Sequence, residues 1–295
     1  MLELEKCPIC KMSQFTQYME SKDFSVSKEV FCMVKCSNCN LVFTNPRPTD
    51  NGIAKYYASD HYISHTNSKK NLFEKTYQTI RSIAIKNKFK LISSYFTKGN
   101  VLDIGCGTGN FLNFCKEKKW GTRGVEPNDM ARNKAISNYR LTIDSSIDLN
   151  KITERFNVIT MWHVLEHVTD LNKTLVNLNH LIKENGKIIV AVPNLNSYDS
   201  SFYKNYWAAY DLPIHLYHFT KDSITSLFKS HNFKLIKTKG MPFDSFYVSL
   251  LSEKYKTGRK NLIRSFLIGC ISNLAGIFTN RGFSSTIYVF EKNNL

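Results

Sequence analysis

The run Val101-Leu-Asp-Ile-Gly-Cys-Gly-Thr-Gly-Asn-Phe-Leu112 concentrates residue types that can hold a ligand. An apolar strand delivers the carboxylate of Asp103, and a loop spaced Gly105-x-Gly107-x-Gly109 turns into a helix. Glycine permits positive φ and a close backbone approach to a ligand. Glu126 follows Gly105 by 21 residues, at the end of the second expected strand. An acid there can accept hydrogen bonds from two ribose hydroxyls. A nicotinamide fingerprint would read G-x-G-x-x-G. Here the loop is G-x-G-x-G behind an acid, with no pyrophosphate-binding pattern and no Walker lysine.

A second chemistry sits near the N-terminus. Cys7-Pro-Ile-Cys10 and Cys36-Ser-Asn-Cys39 are two C-x2-C knuckles separated by 25 residues. A two-residue spacer turns the chain back, so two knuckles can set four thiolates tetrahedrally around one zinc ion at about 2.3 Å. Four thiolates leave no open coordination position, so the expected metal is structural and holds a segment too short for its own core. The competing reading is a set of buried or redox cysteines. Cys32 falls outside the pattern, and Cys106, Cys115 and Cys270 read as small packing residues.

The elements that must position these residues divide the chain in three. Residues 1–48 carry the knuckles and leave through Asn45-Pro-Arg-Pro48, an extended exit. Residues 49–98 form a polar, aromatic, helical linker or cap, with Leu72, Tyr77, Ile80, Ile83, Ala84, Phe89, Leu91 and Ile92 near helical spacing. Residues 99–295 alternate short apolar runs with amphipathic segments, the βαβ pattern of a parallel sheet. Strands are expected near 100–104, 121–125, 140–143, 156–161, 186–192, 233–239 and 284–291, and helices near 109–119, 128–138, 170–183 and 220–230. Thr220 is the expected N-cap of the last helix. Lys183-Glu184-Asn185-Gly186 is expected to end the preceding helix before the fifth strand.

Composition sets the class. At 295 residues and 42% hydrophobic, the chain buries a sizeable core, which excludes disordered and fibrous classes. The apolar run 265–278 is too short and too polar to span a bilayer, and the start MLELEKCPIC has no apolar signal core, so a cytoplasmic protein is expected. The net charge of +16 comes from 31 Lys and only nine Arg, spread along the chain. Phosphate clamps concentrate Arg, so dispersed Lys reads as a solvated surface more readily than as a nucleic-acid face.

On VLDIGCGTGNFL at 101–112, GVEPN at 124–128, FNVITMWHVLEHV at 156–168 and GKIIVAVPN at 186–194, the chain resembles the class I S-adenosylmethionine-dependent methyltransferases. Within them it is similar to the methyltransferase 23-like group, here with an N-terminal zinc ribbon. Companion features are Asn45-Pro-Arg-Pro48, Tyr56-Tyr57 with Tyr62, and Asp211-Leu-Pro-Ile-His-Leu-Tyr-His-Phe-Thr220. The resemblance implies an α/β fold: a doubly wound, mainly parallel seven-stranded Rossmann-like sheet. It implies S-adenosylmethionine as cofactor beside structural zinc. Asp103 and Gly105 would face its methionine end, with Cys106, Gly107 and Gly109 in the same loop. Glu126 would hold the ribose, Pro127 and Asn128 would flank the adenine, and Asp144 or Ser145 would reach the adenine amine. Trp162 and His163 would lie beside the methyl donor.

Methyl transfer from a sulfonium needs mainly alignment and proximity, and a general base only where the acceptor holds a poorly acidic proton. The candidates are His163, Glu166, His167, His215 and His218. His163 ranks first as a catalytic residue, with packing against the cofactor as the alternative. Glu166 and His167 read as orienting the loop. His215 and His218 are catalytic candidates if 195–219 is a lid, and part of an aromatic cluster otherwise. His61, His65, His180 and His231 carry no motif. Residues 241–283 form an insertion able to cap a pocket, its run 265–278 reading as a helix packed on the domain. The expected acceptor is a small molecule or a glycan precursor, such as a sugar of surface polysaccharide. A ribosomal or transfer RNA, anchored by the ribbon, is the alternative, and a non-catalytic binding scaffold is the third reading.

Overall fold

The central strands form because their residues are apolar on both faces, the pattern of strands buried within a parallel sheet. In the computed structural model, which describes residues 1–57, 72–145 and 149–293, β1 (Phe15–Lys22), β2 (Val30–Cys36) and β3 (Val42–Thr44) lead to the helix α1 (Leu72–Ser93). Tyr62, His61 and His65 lie outside the described residues. Then β4 (Asn100–Ile104), α2 (Asn110–Glu117), β5 (Gly121–Val125), α3 (Asp129–Tyr139) and β6 (Ile143–Asp144) follow. They continue into β7 (Phe156–Trp162), α4 (Leu171–Leu181), β8 (Ile182–Pro193) and α5 (Tyr198–Tyr203). The chain closes with β9 (Tyr217–His218), α6 (Lys221–Lys229), β10 (Phe233–Gly240), α7 (Asp244–Thr257), α8 (Leu262–Phe278) and β11 (Ser285–Lys292).

Seven strands form one sheet in the order β10-β11-β8-β7-β4-β5-β6, parallel except for β11, which runs antiparallel to both its neighbours. The expected α/β doubly wound class is therefore correct. Ile159, Met161, Ile188 and Val190 are completely buried, each stabilising the sheet by roughly 1.5–3 kcal/mol. Thr220 caps α6 in a reciprocal capping box with Ser223. Local expectations shift in two places. The third strand shortens to Ile143–Asp144 because Arg140 ends α3 in the left-handed region at φ 51°. Lys183–Gly186 does not end a helix: these residues bulge from β8 between the pairs Phe156–Ile182 and Val158–Lys187.

A second, antiparallel sheet has the order β1-β2-β3-β9. Its last strand comes from Tyr217–His218, far along the chain. The N-terminal segment is thus not a separate appendage ending at residue 48. Arg47, buried, donates to Tyr217 Oη at 2.9 Å and to the Thr169 carbonyl at 2.9 Å. Asn172 donates to the Pro8 carbonyl at 2.8 Å. Cys7, Cys36, Leu41 and Phe43 share one apolar core with Leu102, Met161 and Val190. Nor is 195–219 a free lid. Trp207, Tyr210, Leu212 and Ile214 are buried in a core with Phe31, Met33 and Val42, because this much aromatic surface packs against the second sheet rather than facing water.

The insertion folds as the hairpin of α7 and α8. On α8 the small side is the packed one: Ser265, Ile268, Gly269 and Ser272 are buried, and a side chain on Gly269 would overlap Phe246. The large residues Ile263, Phe266, Leu274 and Phe278 are exposed. Among the described residues no helix is long and apolar enough to cross a membrane.

Candidate active site

The sheet order reverses between β4 and β7, and open α/β sheets bind ligands outside the carboxyl ends of their strands at such a point. Asp103, on β4, is 2% exposed and accepts a hydrogen bond from Thr160 Oγ1 at 2.6 Å. Burial pushes its pKa up to about 7, against the pull of that hydrogen bond and of the Lys88 charge. The loop after it enters the left-handed region, open to glycine without strain, at Gly105 (φ 71°), Gly107 (φ 55°) and Gly109 (φ 75°). Two of these glycines have different reasons. A β-carbon on Gly105 would sit 2.4 Å from Val164 Cγ2, whereas one on Gly107 would point into open space with no atom within 4 Å. Gly107 is where a ligand can meet bare backbone. The sulfur of Cys106 packs against Gly124.

Glu126 closes the other side of that space. Its Oε2 accepts from Gly107 N–H at 2.7 Å and its Oε1 from Asn128 N–H at 2.9 Å. A carboxylate has about four lone-pair sites, so acceptor capacity remains. Pro127 and Asn128 are exposed at the rim. Asp144 sits apart: Arg123 donates to it through Nε at 2.8 Å and Nη2 at 3.3 Å. Arg123 orients this partly exposed carboxylate, and its remaining lone pairs face away from that pair. A buried carboxylate, a cradle of bare backbone and a second carboxylate suit a cationic, nucleoside-bearing ligand, so the residues present fit S-adenosylmethionine.

At the end of β7, Trp162 is buried, with its indole Nε1 lacking a hydrogen-bond partner. Lys88 lies 4.3 Å over its ring. Burial draws the Lys88 pKa down to about 8 despite Asp103 and Asp244. His163 follows at φ 58°, a position that strains a residue with a β-carbon. Its Nδ1 lies 3.3 Å from Glu166 Oε1 and its Nε2 3.2 Å from Asp244 Oδ2. Burial works against its charge, but hydrogen bonds to the two carboxylates win and push the pKa up to about 10. An imidazolium with both N–H groups engaged has no lone pair for a proton, so His163 fits a positioning role and not that of a base.

Glu166, fully buried, is held anionic: desolvation would raise its pKa, and His163 lowers it further than that. His167 and His215 pack edge to face at 4.5 Å. Burial keeps both neutral, His167 falling to about 4 and His215 also lowered. His167 Nδ1 lies 3.1 Å from the Ile214 carbonyl, and His215 Nδ1 2.9 Å from that of Ala209. His218 stands elsewhere, on β9 between Thr44 and Tyr210, where burial takes its pKa to about 3. Three of the histidines weighed from sequence therefore gather around Glu166, and the fourth belongs to the ribbon sheet.

The knuckles come together as expected from their spacing. One sulfur from each of Cys7, Cys10, Cys36 and Cys39 lies within 4.8 Å of the others, with Cys7–Cys39 and Cys10–Cys36 at 3.5 Å. Tetrahedral bonds of 2.3 Å would set the sulfurs about 3.8 Å apart. The two turns match: Lys11 and Asn40 each donate N–H to the carbonyl four positions back, of Cys7 and Cys36, at 3.0 Å, and each has positive φ (63° and 58°). Backbone N–H groups of Ile9 and Cys10 reach the Cys7 sulfur, and those of Asn38 and Cys39 the Cys36 sulfur.

Sequence reading missed Lys88 and Asp244. Neither carries a motif, and Asp244 meets His163 only because the first turn of α7, just after β10, lies beside the residue that follows β7.

A methyltransferase-domain family model matches residues 75–238. Among curated proteins, a ubiquinone biosynthesis O-methyltransferase of Coxiella burnetii is 33% identical over 119 residues, covering 37% of this chain and 50% of the relative. One of Rhodopseudomonas palustris is 33% identical over 107 residues, covering 32% and 40%. The chain thus spans about half the length of the curated relatives it matches. Two solved structures share the fold: a SAM-dependent methyltransferase from Archaeoglobus fulgidus (18% identity, 76% and 100% covered, TM-score 0.51) and a Pyrococcus horikoshii protein (14%, 80% and 98%, TM-score 0.52).

Proposed function

The chain belongs to the methyltransferase-domain family, within the class I S-adenosylmethionine-dependent methyltransferases, and from that premise we propose that it methylates an oxygen of a small hydroxyl-bearing acceptor. Supporting the acceptor class is the likeness to relatives named as O-methyltransferases. Sugars of glycan precursors fall within that class. The observation that carries the cofactor assignment is the open space over Gly107, framed by Asp103 and Glu126.

When bound, S-adenosylmethionine supplies a methyl group on a positively charged sulfur that is already a good leaving group. In this reading Asp103 accepts from the cationic methionine end, Glu126 accepts from the ribose hydroxyls, and the bare Gly105–Gly109 backbone lies along the nucleoside. Trp162 walls the methyl-bearing end. His163, clamped between Glu166 and Asp244, fixes the loop after β7 and offers fixed positive charge. A hydroxyl acceptor must also lose a proton, and Glu166, His167 and His215 are the polar groups that converge beyond His163 at that end of the sheet. The four thiolates hold one structural zinc ion, which ties residues 7–39 to the second sheet.

The experiment is incubation with methyl-labelled S-adenosylmethionine and an extract of cells lacking the gene, followed by fractionation. Label in the small-molecule pool is expected. Label in RNA would overturn the acceptor class, and no cofactor binding would overturn the whole reading.

A further inference from the structure

Beyond the cofactor cradle, three metal-type donors converge on one point. Glu166, His167 and His215 each bring one ligand atom, and these atoms lie within 4.8 Å of one another. We propose that Glu166, His167 and His215 form a second metal centre, a two-histidine, one-carboxylate site for a first-row divalent cation, separate from the four cysteines.

Four observations carry it. Glu166 Oε2 is buried without any hydrogen-bond partner, while Oε1 is held by His163. An anionic oxygen left unpaired in the interior costs several kcal/mol, so a native site has reason to fill it. Both imidazoles are tethered through Nδ1 to backbone carbonyls. A carbonyl can only accept, so with Nδ1 donating to it, and the Tyr57 hydroxyl also 3.3 Å from His167 Nδ1, Nε2 of each ring is the nitrogen left for a ligand, the outer-sphere arrangement of metal-bound histidines. Third, the segments carrying the donors are locked together, since Leu216 N–H donates to the Glu166 carbonyl at 2.8 Å. Fourth, Glu166 brings a carboxylate whose Oε1 faces the His163 imidazolium, which leaves Oε2 as the anionic oxygen turned to the two imidazoles and suited to a cation.

Bonds of about 2.0–2.2 Å would bring the three donors to roughly 3–3.5 Å from one another, so binding draws them together by about 1 Å. Imidazole with carboxylate and no thiolate selects zinc, iron(II), cobalt(II) or manganese(II) over softer ions. Three protein ligands leave positions open, as in catalytic rather than structural sites. There a cation would bind the acceptor oxygen and lower the pKa of its hydroxyl, so that the proton leaves to solvent and neither imidazole serves as base. That use rests on the acceptor reading above, whereas the site itself does not.

The test uses full-length protein carrying one zinc per chain, dialysed free of excess metal and titrated with cobalt(II) alone, without S-adenosylmethionine. One additional equivalent is expected, with the weak visible bands of nitrogen and oxygen ligation and no sulfur-to-cobalt charge transfer. Glu166→Gln and His215→Gln should weaken it by about a hundredfold or more while keeping the zinc. His167→Gln, at a less buried position, repeats the test should the buried variants fail to fold. No additional equivalent in the wild-type protein, or one that survives all three substitutions, overturns the proposal. Because no cofactor is present, failure of methyl transfer cannot be mistaken for failure of the metal site.

Discussion

Asp103 is a carboxylate sealed from water with one hydroxyl and a distant lysine for company, and near neutrality it is half protonated. Its folded-state pKa lies above the unfolded value, so its contribution to stability is complete below about pH 4 and is lost as pH rises through 7. A cationic ligand has the opposite preference, because it binds the ionised form. Affinity for S-adenosylmethionine should therefore rise up to tenfold per pH unit below 7 and level off above it. Equilibrium dialysis from pH 5.5 to 8.5 checks this, and Asp103→Asn should flatten the profile. Asp103→Ala and Glu126→Ala should each weaken binding by about tenfold or more, on the order of 1.4 kcal/mol. The loop glycines separate binding from folding. Gly107→Ala places its methyl in the ligand's space and should abolish binding while destabilising the protein by about 1 kcal/mol through backbone strain. Gly105→Ala, driven into Val164, should lower the thermal midpoint much further.

At the scale of elements, what was legible in the sequence was local. Periodicity and the glycine loop placed all seven strands of the main sheet, because each strand's burial is written in its own residues. The loop and Glu126 were readable for the same reason: 21 residues and one βαβ unit connect them. What escaped was long-range. Nothing in Tyr217-His218 announces that it pairs with Val42–Thr44, and nothing near Asp244 points to His163. The lid expected at 195–219 turned out to be packed aromatic core, a distinction that depends on what lies opposite and not on composition. The shared sheet gives a prediction. Cys36→Ser should release the metal and, through β3, loosen β9. Amide exchange at residues 42–44 and 217–218 should accelerate together, while exchange in β4 and β7 stays slow. Protection at β9 that outlasts metal loss would contradict the coupling.

Across the whole molecule, positive charge and apolar surface are both exposed. The outward face of α8 shows Ile263 at 77% and Phe278 at 79% exposure. Residues this exposed contribute little to the fold of one chain. Ile263→Ser with Phe278→Ser should leave the unfolding midpoint within about 0.5 kcal/mol of wild type, as measured by denaturant titration. Arg47→Ala should behave otherwise, costing about 2–3 kcal/mol, since it strips two hydrogen bonds that join the N-terminal segment to Thr169 and Tyr217.

The seam between β3 and β9 also bears on how the chain is made. Thr44 and His218 are 174 residues apart. At about 5–20 residues per second, the first three strands emerge roughly 10 to 35 s before the strand that completes their sheet. During that interval the nascent N-terminus can gather its cysteines around an ion, but its open edge and the side of Phe43 stay uncovered. Synthesis thus sets an order: the cysteine turns first, docking of β9 last, with the open edge of β3 most exposed to aggregation in between.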